Sequence, residues 1–125
     1  MTPDELVRAL YQAYQDRDWG RAVTLLHPDA VVVLPATAER LAGRDAVVEF
    51  QRTYPEPWGT MRVERIVAGG ESAAAEVTVS DPTDRLFALA AFWSVRDAKL
   101  HRGIEYWVEV GGESPPSSRA DSEEG

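Results

Sequence analysis

Residues 86–110 read LFALAAFWSVRDAKLHRGIEYWVEV. The apolar run Leu86–Val95 is rich in aromatic and aliphatic side chains, Asp97-Ala98 interrupts it, and a second run extends from Leu100 to about Val110. Two long strands joined by a tight turn are predicted. The period of two puts Gly103, Glu105 and Trp107 on one face of the second strand and Ile104, Tyr106 and Val108 on the other.

Outward from this hairpin, Asp81-Pro82-Thr83-Asp84 supplies a turn. Before it, Ala73, Ala75, Val77 and Val79 alternate, Gly69-Gly70 marks a hairpin, and Met61, Val63 and Arg65 alternate with Arg62, Glu64 and Ile66. Arg44–Tyr54 carries Ala46, Val47, Phe50 and Tyr54 at helical spacing until Pro55 and Pro57 halt it. Ala36–Gly43 reads as a loop and Ala30–Leu34, closed by Pro35, as a short strand. At the start, Thr2, Pro3 and Glu5 make a capping box, and Leu6, Leu10, Ala13 and Tyr14 trace a helix from Pro3 to about Arg17. Asp18 caps a second helix through Leu26, which His27-Pro28-Asp29 ends, so the two helices form a hairpin. The predicted order is α-α-β-α-β-β-β-β, an α+β domain over residues 1–112. After Gly111-Gly112, residues 113–125 contain no large apolar side chain and read as a disordered acidic Ser/Pro tail.

A chain of 125 residues with 44% apolar and 27% charged side chains can bury one core without staples. The formal charge of −8 repels polyanions, so no nucleic-acid partner is expected, although part of that charge sits in the tail. The absence of cysteine excludes disulfides, thiolate metal sites and a cysteine nucleophile. An N-terminus that leads directly into an amphipathic helix, and the lack of any bilayer-length apolar run, point to a cytoplasmic protein with no membrane association.

Asp18-Trp19, His27-Pro28-Asp29-Ala30-Val31 and Leu41-Ala42-Gly43-Arg44-Asp45-Ala46, in this element order, resemble the NTF2-like superfamily. Phe92–Leu100 and Glu105-Tyr106-Trp107 resemble its SnoaL-like branch. The resemblance covers residues 1 to about 110. It implies a cone in which a curved antiparallel sheet packs on an N-terminal helical hairpin and a third helix around a mostly apolar pocket. Ala98 stands where the family usually has glycine, which predicts an altered turn. The acidic base of the family's ketosteroid isomerases would fall in Val32-Val33-Leu34-Pro35, their acidic oxyanion donor near Ala90 or Ala91, and their helix 1 tyrosine near Leu10, so that mechanism is not expected. The Asp/Arg/Asp set of limonene-type epoxide hydrolases has no counterpart either, because Leu89, Ala91 and Trp93 stand where polar groups would be needed.

The resemblance also implies that the Glu105 face looks into the pocket. There a carboxyl would be pushed toward the range of a general base; alternatively, Glu105 forms a structural ion pair with Arg40, Arg44 or Arg102. Tyr14, or an indole N–H of Trp93 or Trp107, would stabilise an oxyanion. Leu34, Phe50, Tyr54, Trp58, Ala91, Trp93 and Trp107 are the candidate lining, each also readable as core or, for Trp58, as a loop anchor. Arg40 is placed at the entrance, as a carboxylate binder or a solvated charge. His27 reads as a helix-end residue, and His101 shares the parity of Glu105 beside a turn. No metal site and no cofactor are expected. Two functions remain open: a cofactor-independent isomerase or cyclase acting on a carbon acid that is small and apolar or aromatic, or a non-catalytic ligand-binding or dimerisation domain. A homodimer through the sheet face bearing Phe92, Tyr106 and Val108 is compatible with both.

Overall fold

The computed structural model describes residues 1–54 and 58–119, so the expected halt at Pro55 and Pro57 and the last part of the tail lie outside the described residues. Helix α1 (Pro3–Gln15) starts with the Glu5 carboxylate accepting the Thr2 N–H at 2.9 Å. It stops short of Arg17, which adopts a left-handed φ of 56°. Asp18 then caps α2 (Trp19–Leu25) by accepting the Arg21 N–H at 3.1 Å. Strand β1 (Leu26–Leu34) follows at once, so His27 and Pro28 belong to a strand and not to a helix end. The same constraint explains both outcomes: the residue before a proline prefers extended geometry, which ends a helix and equally well begins a strand. The pairing of β1 is irregular between Leu26 and Val31, where the N–H that Pro28 lacks would otherwise be needed.

The stretch expected to be a loop contains β2 (Glu39–Ala42), four mostly exposed residues paired antiparallel with the end of β1. Helix α3 (Arg44–Arg52) ends two residues before Tyr54. Strands β3 (Thr60–Gly69), β4 (Ser72–Ser80), β5 (Leu86–Arg96) and β6 (Lys99–Glu109) complete a curved, unclosed six-stranded sheet in the order β2-β1-β6-β5-β4-β3. Four neighbouring pairs are antiparallel, while β1 and β6, the second and third strands, run parallel. Helix α1 packs across β3 to β6 and α3 against β1, enclosing a core that includes Val7, Leu10, Leu26, Val32, Val77, Leu89 and Leu100.

Two bulges redirect side chains that simple alternation misplaces. In β3, Val63 pairs with Val77 but Arg65 with Glu76, so the inward set is Met61, Val63 and Ile66, while Arg65 faces outward to Glu76 at 3.3 Å. In the β5–β6 pair, Ser94 faces Arg102 and Val95 faces Leu100, leaving His101 as the extra residue. Leu100, Gly103 and Glu105 are the buried positions, so His101 is out of file with Glu105. The connecting turn keeps its tight form: Asp97 and Ala98 have φ of 52° and 62°. Ala98 therefore accepts a left-handed conformation costing about 1–2 kcal/mol, and the turn is not altered as its replacement of glycine predicted. In the expected tail, Ser117–Arg119 forms a single 3₁₀ turn.

Candidate functional site

The heptad-like spacing of Val7, Leu10, Tyr11 and Tyr14 turns both tyrosines of α1 into the core. Opposite them, the β5–β6 register sets Ala91 beside Glu105, Trp93 beside Gly103 and Leu89 beside Trp107. A Cβ on Gly103 would lie 2.7 Å from Cζ2 of Trp93, so only glycine lets that indole lie flat across β6. The indole Nε1–H thereby reaches Tyr11 and donates to its hydroxyl at 3.0 Å. The Tyr11 hydroxyl in turn donates to Glu105 Oε2 at 2.7 Å, and Trp107 Nε1–H donates to Oε1 at 3.3 Å.

Glu105 is 5% exposed. Burial pushes its carboxyl above the ordinary 4.5, and the bonds from Tyr11 and Trp107 pull it partly back by favouring the charged form. Burial first, and the Glu105 charge second, hold both the Tyr11 and Tyr14 phenols well above their ordinary range. The expected ion pair with Arg40, Arg44 or Arg102 is not formed: among the described residues the hydrogen-bond partners of Glu105 are Tyr11 and Trp107.

A cavity of about 290 Å³ opens above this carboxyl. Its walls are Glu105 and Trp107 of β6, Leu34 of β1, Phe50 of α3, Tyr54, and Ala36, Thr37 and Glu39 from the turn and the start of β2. Tyr54 and Trp107 also border a smaller void of about 30 Å³ together with Trp58, Val79, Phe87 and the buried Gln51.

Of the residues singled out in the sequence, Leu34, Phe50, Tyr54, Glu105 and Trp107 meet at the larger cavity, and Trp58 lies at the smaller one. Trp58 is also held from behind, with the Arg17 guanidinium 3.5 Å from its ring centroid and donating to its carbonyl at 2.6 Å. Ala91 and Trp93 are buried behind Glu105 and line neither space. Tyr14 is buried at the same level, meets Tyr11 edge to face at 5.8 Å, and its hydroxyl makes no hydrogen bond among the described residues. The indole N–H groups of Trp93 and Trp107 are committed to Tyr11 and Glu105, so neither is free for an oxyanion. Arg40 pairs in register with Val33 on the outer face, and Glu39, paired with Leu34, lines the cavity instead.

Sequence reading missed Tyr11, the residue that holds the carboxyl. The available signal was Gly103, since a glycine inside a strand marks a close approach. The two histidines touch, with ring centroids 4.9 Å apart. Burial, and then His27, push the His101 imidazole below 6.5. His27 Nδ1 accepts the Asp29 N–H at 3.0 Å, and its Nε2 lies 3.4 Å from Asp97. No cluster of three or more potential ligands that could hold a metal ion occurs among the described residues. Nor does any helix there have the length and apolarity to cross a membrane.

Comparison with solved structures finds the same architecture repeatedly. A Kribbella flavida protein provisionally named a ketosteroid isomerase superposes with a TM-score of 0.85 at 30% identity, covering 95% of this chain and 85% of that one. An NTF-2 like protein of unknown function from Burkholderia xenovorans gives 0.78 at 21% identity, covering 94% and 89%. An LEH-like epoxide hydrolase of M. tuberculosis gives 0.71 at 20%, covering 85% and 82%. No curated protein matches the sequence. The profile of the SnoaL-like domain matches residues 7–102, and the chain belongs to that family, with the NTF2-like fold.

Proposed function

We propose that the domain binds a small, largely apolar molecule in the 290 Å³ cavity and that Glu105 serves there as proton acceptor for a carbon acid. The observation that carries this reading is the buried carboxyl itself, 5% exposed, without a cationic partner among the described residues and held by two donors at the floor of an aromatic-walled space. A carboxylate has about four acceptor sites, so the two bonds leave lone pairs for a ligand proton. Its raised pKa moves it toward the useful range of a general base. With both indole N–H groups committed, a phenol is left to meet a developing oxyanion. Tyr54 stands on the wall, while Tyr14 has an uncommitted hydroxyl but lies behind it.

Exchange of the α-protons of cyclohexanone in D2O, followed by proton NMR, tests the chemistry. The protein should accelerate exchange, and Glu105→Gln should lower that acceleration on the order of 10²-fold. Equal rates for the two proteins would remove Glu105 as the base. No acceleration by either would leave a binding domain only.

A second reading, compatible with the first, is association through the outer sheet face, where Phe92, Ile104, Tyr106 and Val108 are exposed side by side. A contiguous apolar patch of this kind favours a second copy as its cover. Sedimentation of the purified protein should give a dimer at tens of micromolar, and a strict monomer there would end this reading.

A further inference from the structure

The cavity has an electrostatic character that a neutral apolar ligand does not require. Among the described residues two carboxylates border it: Glu105 at the buried floor, and Glu39 at the exposed rim with its Oε1 accepting the Thr37 hydroxyl at 2.6 Å. Among the described lining residues there is no lysine, arginine or histidine, and Arg40 lies on the opposite face of β2. The described lining also carries three aromatic rings. Phe50 and Tyr54 meet at 81° with centroids 6.0 Å apart, forming a corner of two perpendicular walls, and Trp107 supplies a third. Aromatic faces attract a cation through their quadrupole, and nearby carboxylates add Coulombic attraction that the low-dielectric walls strengthen. An anionic ligand would meet repulsion from both ends, which the net charge of −8 reinforces at long range.

We infer that the ligand of this cavity is a small organic cation, an amine or quaternary ammonium compound, whose charged group sits in the aromatic corner near Glu39. This inference rests on the cavity being the binding site proposed above and specifies the class of molecule it takes. A volume of about 290 Å³ restricts the cation to a compact one.

Choline and 3,3-dimethylbutan-1-ol have the same shape and differ in charge, so titrating each against the indole N–H signal of Trp107 isolates the charge. Choline should bind on the order of tenfold more tightly. Glu39→Gln, a rim substitution, should cut that preference by roughly threefold. Equal or tighter binding of the alcohol would overturn the inference and leave the cavity a ligand site. If neither compound moved the Trp107 signal at millimolar concentration, the inference and the binding site would fall together.

Discussion

The β5–β6 hairpin presents two faces made by alternate residues of the same two strands, and each inverts the usual rule of burial. On the inner face Leu89, Ala91 and Trp93 surround Glu105, a carboxyl placed where an aliphatic side chain would be expected. On the outer face Phe92, Ile104, Tyr106 and Val108 stand where polar side chains would be expected, with Phe92 48% and Val108 59% exposed. Both inversions cost stability in an isolated domain, and departures from local consistency concentrate at sites of function. The two faces differ in how the misplaced groups are satisfied. The inner carboxyl is held by bonds within the chain, from the Tyr11 hydroxyl and the Trp107 indole N–H. The outer residues stay exposed and touch one another, as in the Phe92–Tyr106 edge-to-face contact at 6.2 Å. The inner carboxyl is thus satisfied within one chain, whereas the outer residues remain exposed to solvent.

The sharpest way to break this contrast is Gly103→Ala. The added methyl would sit under 3 Å from three atoms of the Trp93 ring, which must swing away and release the Tyr11 hydroxyl. Overpacking of this kind costs about 3 kcal/mol, the upper end of the usual range. The denaturant midpoint should drop accordingly without a change in slope. A stability within about 0.5 kcal/mol of the parent would mean that Trp93 has room to move and that the network is not rigidly set.

Tyr11→Phe should come next, at about 2 kcal/mol, because it leaves the buried Trp93 N–H without an acceptor and takes a donor from Glu105. Its pH dependence identifies the cause. The native carboxyl already titrates above 4.5, so the folded state binds more protons than the unfolded state in that window. The stabilising contribution is therefore complete below the unfolded pKa and is lost as pH rises through the folded one. Loss of the Tyr11 bond raises the folded pKa further and widens the window. Chemical denaturation should show a deficit that is larger at pH 8 than at pH 4. A deficit independent of pH would assign the whole cost to Trp93.

These two positions also mark where sequence reading succeeded and where it stopped. The strands, the helical hairpin and the shared face of Glu105 and Trp107 were legible because period-of-two and helical spacing are properties of neighbouring residues, whereas the inward turn of that face was implied by the family resemblance. Strand β2 was not, since four residues without apolar alternation owe their strand form to pairing with β1. The bulges at Arg65 and His101 were invisible for the same reason: an extra residue is defined by the partner strand. Tyr11 was missed because its role depends on a register between α1 and β6 across 94 residues. Gly103 alone recorded in the sequence that something large had to pass.

The smallest expected effect on protomer stability is on the outer face, and it separates the two faces most cleanly. Phe92→Ser removes a half-exposed ring that packs against Tyr106 but closes no cavity and satisfies no polar group. Unfolding of the dilute protein should therefore change by no more than about 0.5 kcal/mol. Its consequence should appear in association, since the ring sits beside Ile104 in the middle of the exposed patch. If two copies meet there, sedimentation at tens of micromolar should shift toward the monomer while the Trp107 indole signal stays in place. A large loss of stability at low concentration would instead show that Phe92 supports the protomer itself, and the outer face would then be core that happens to touch solvent.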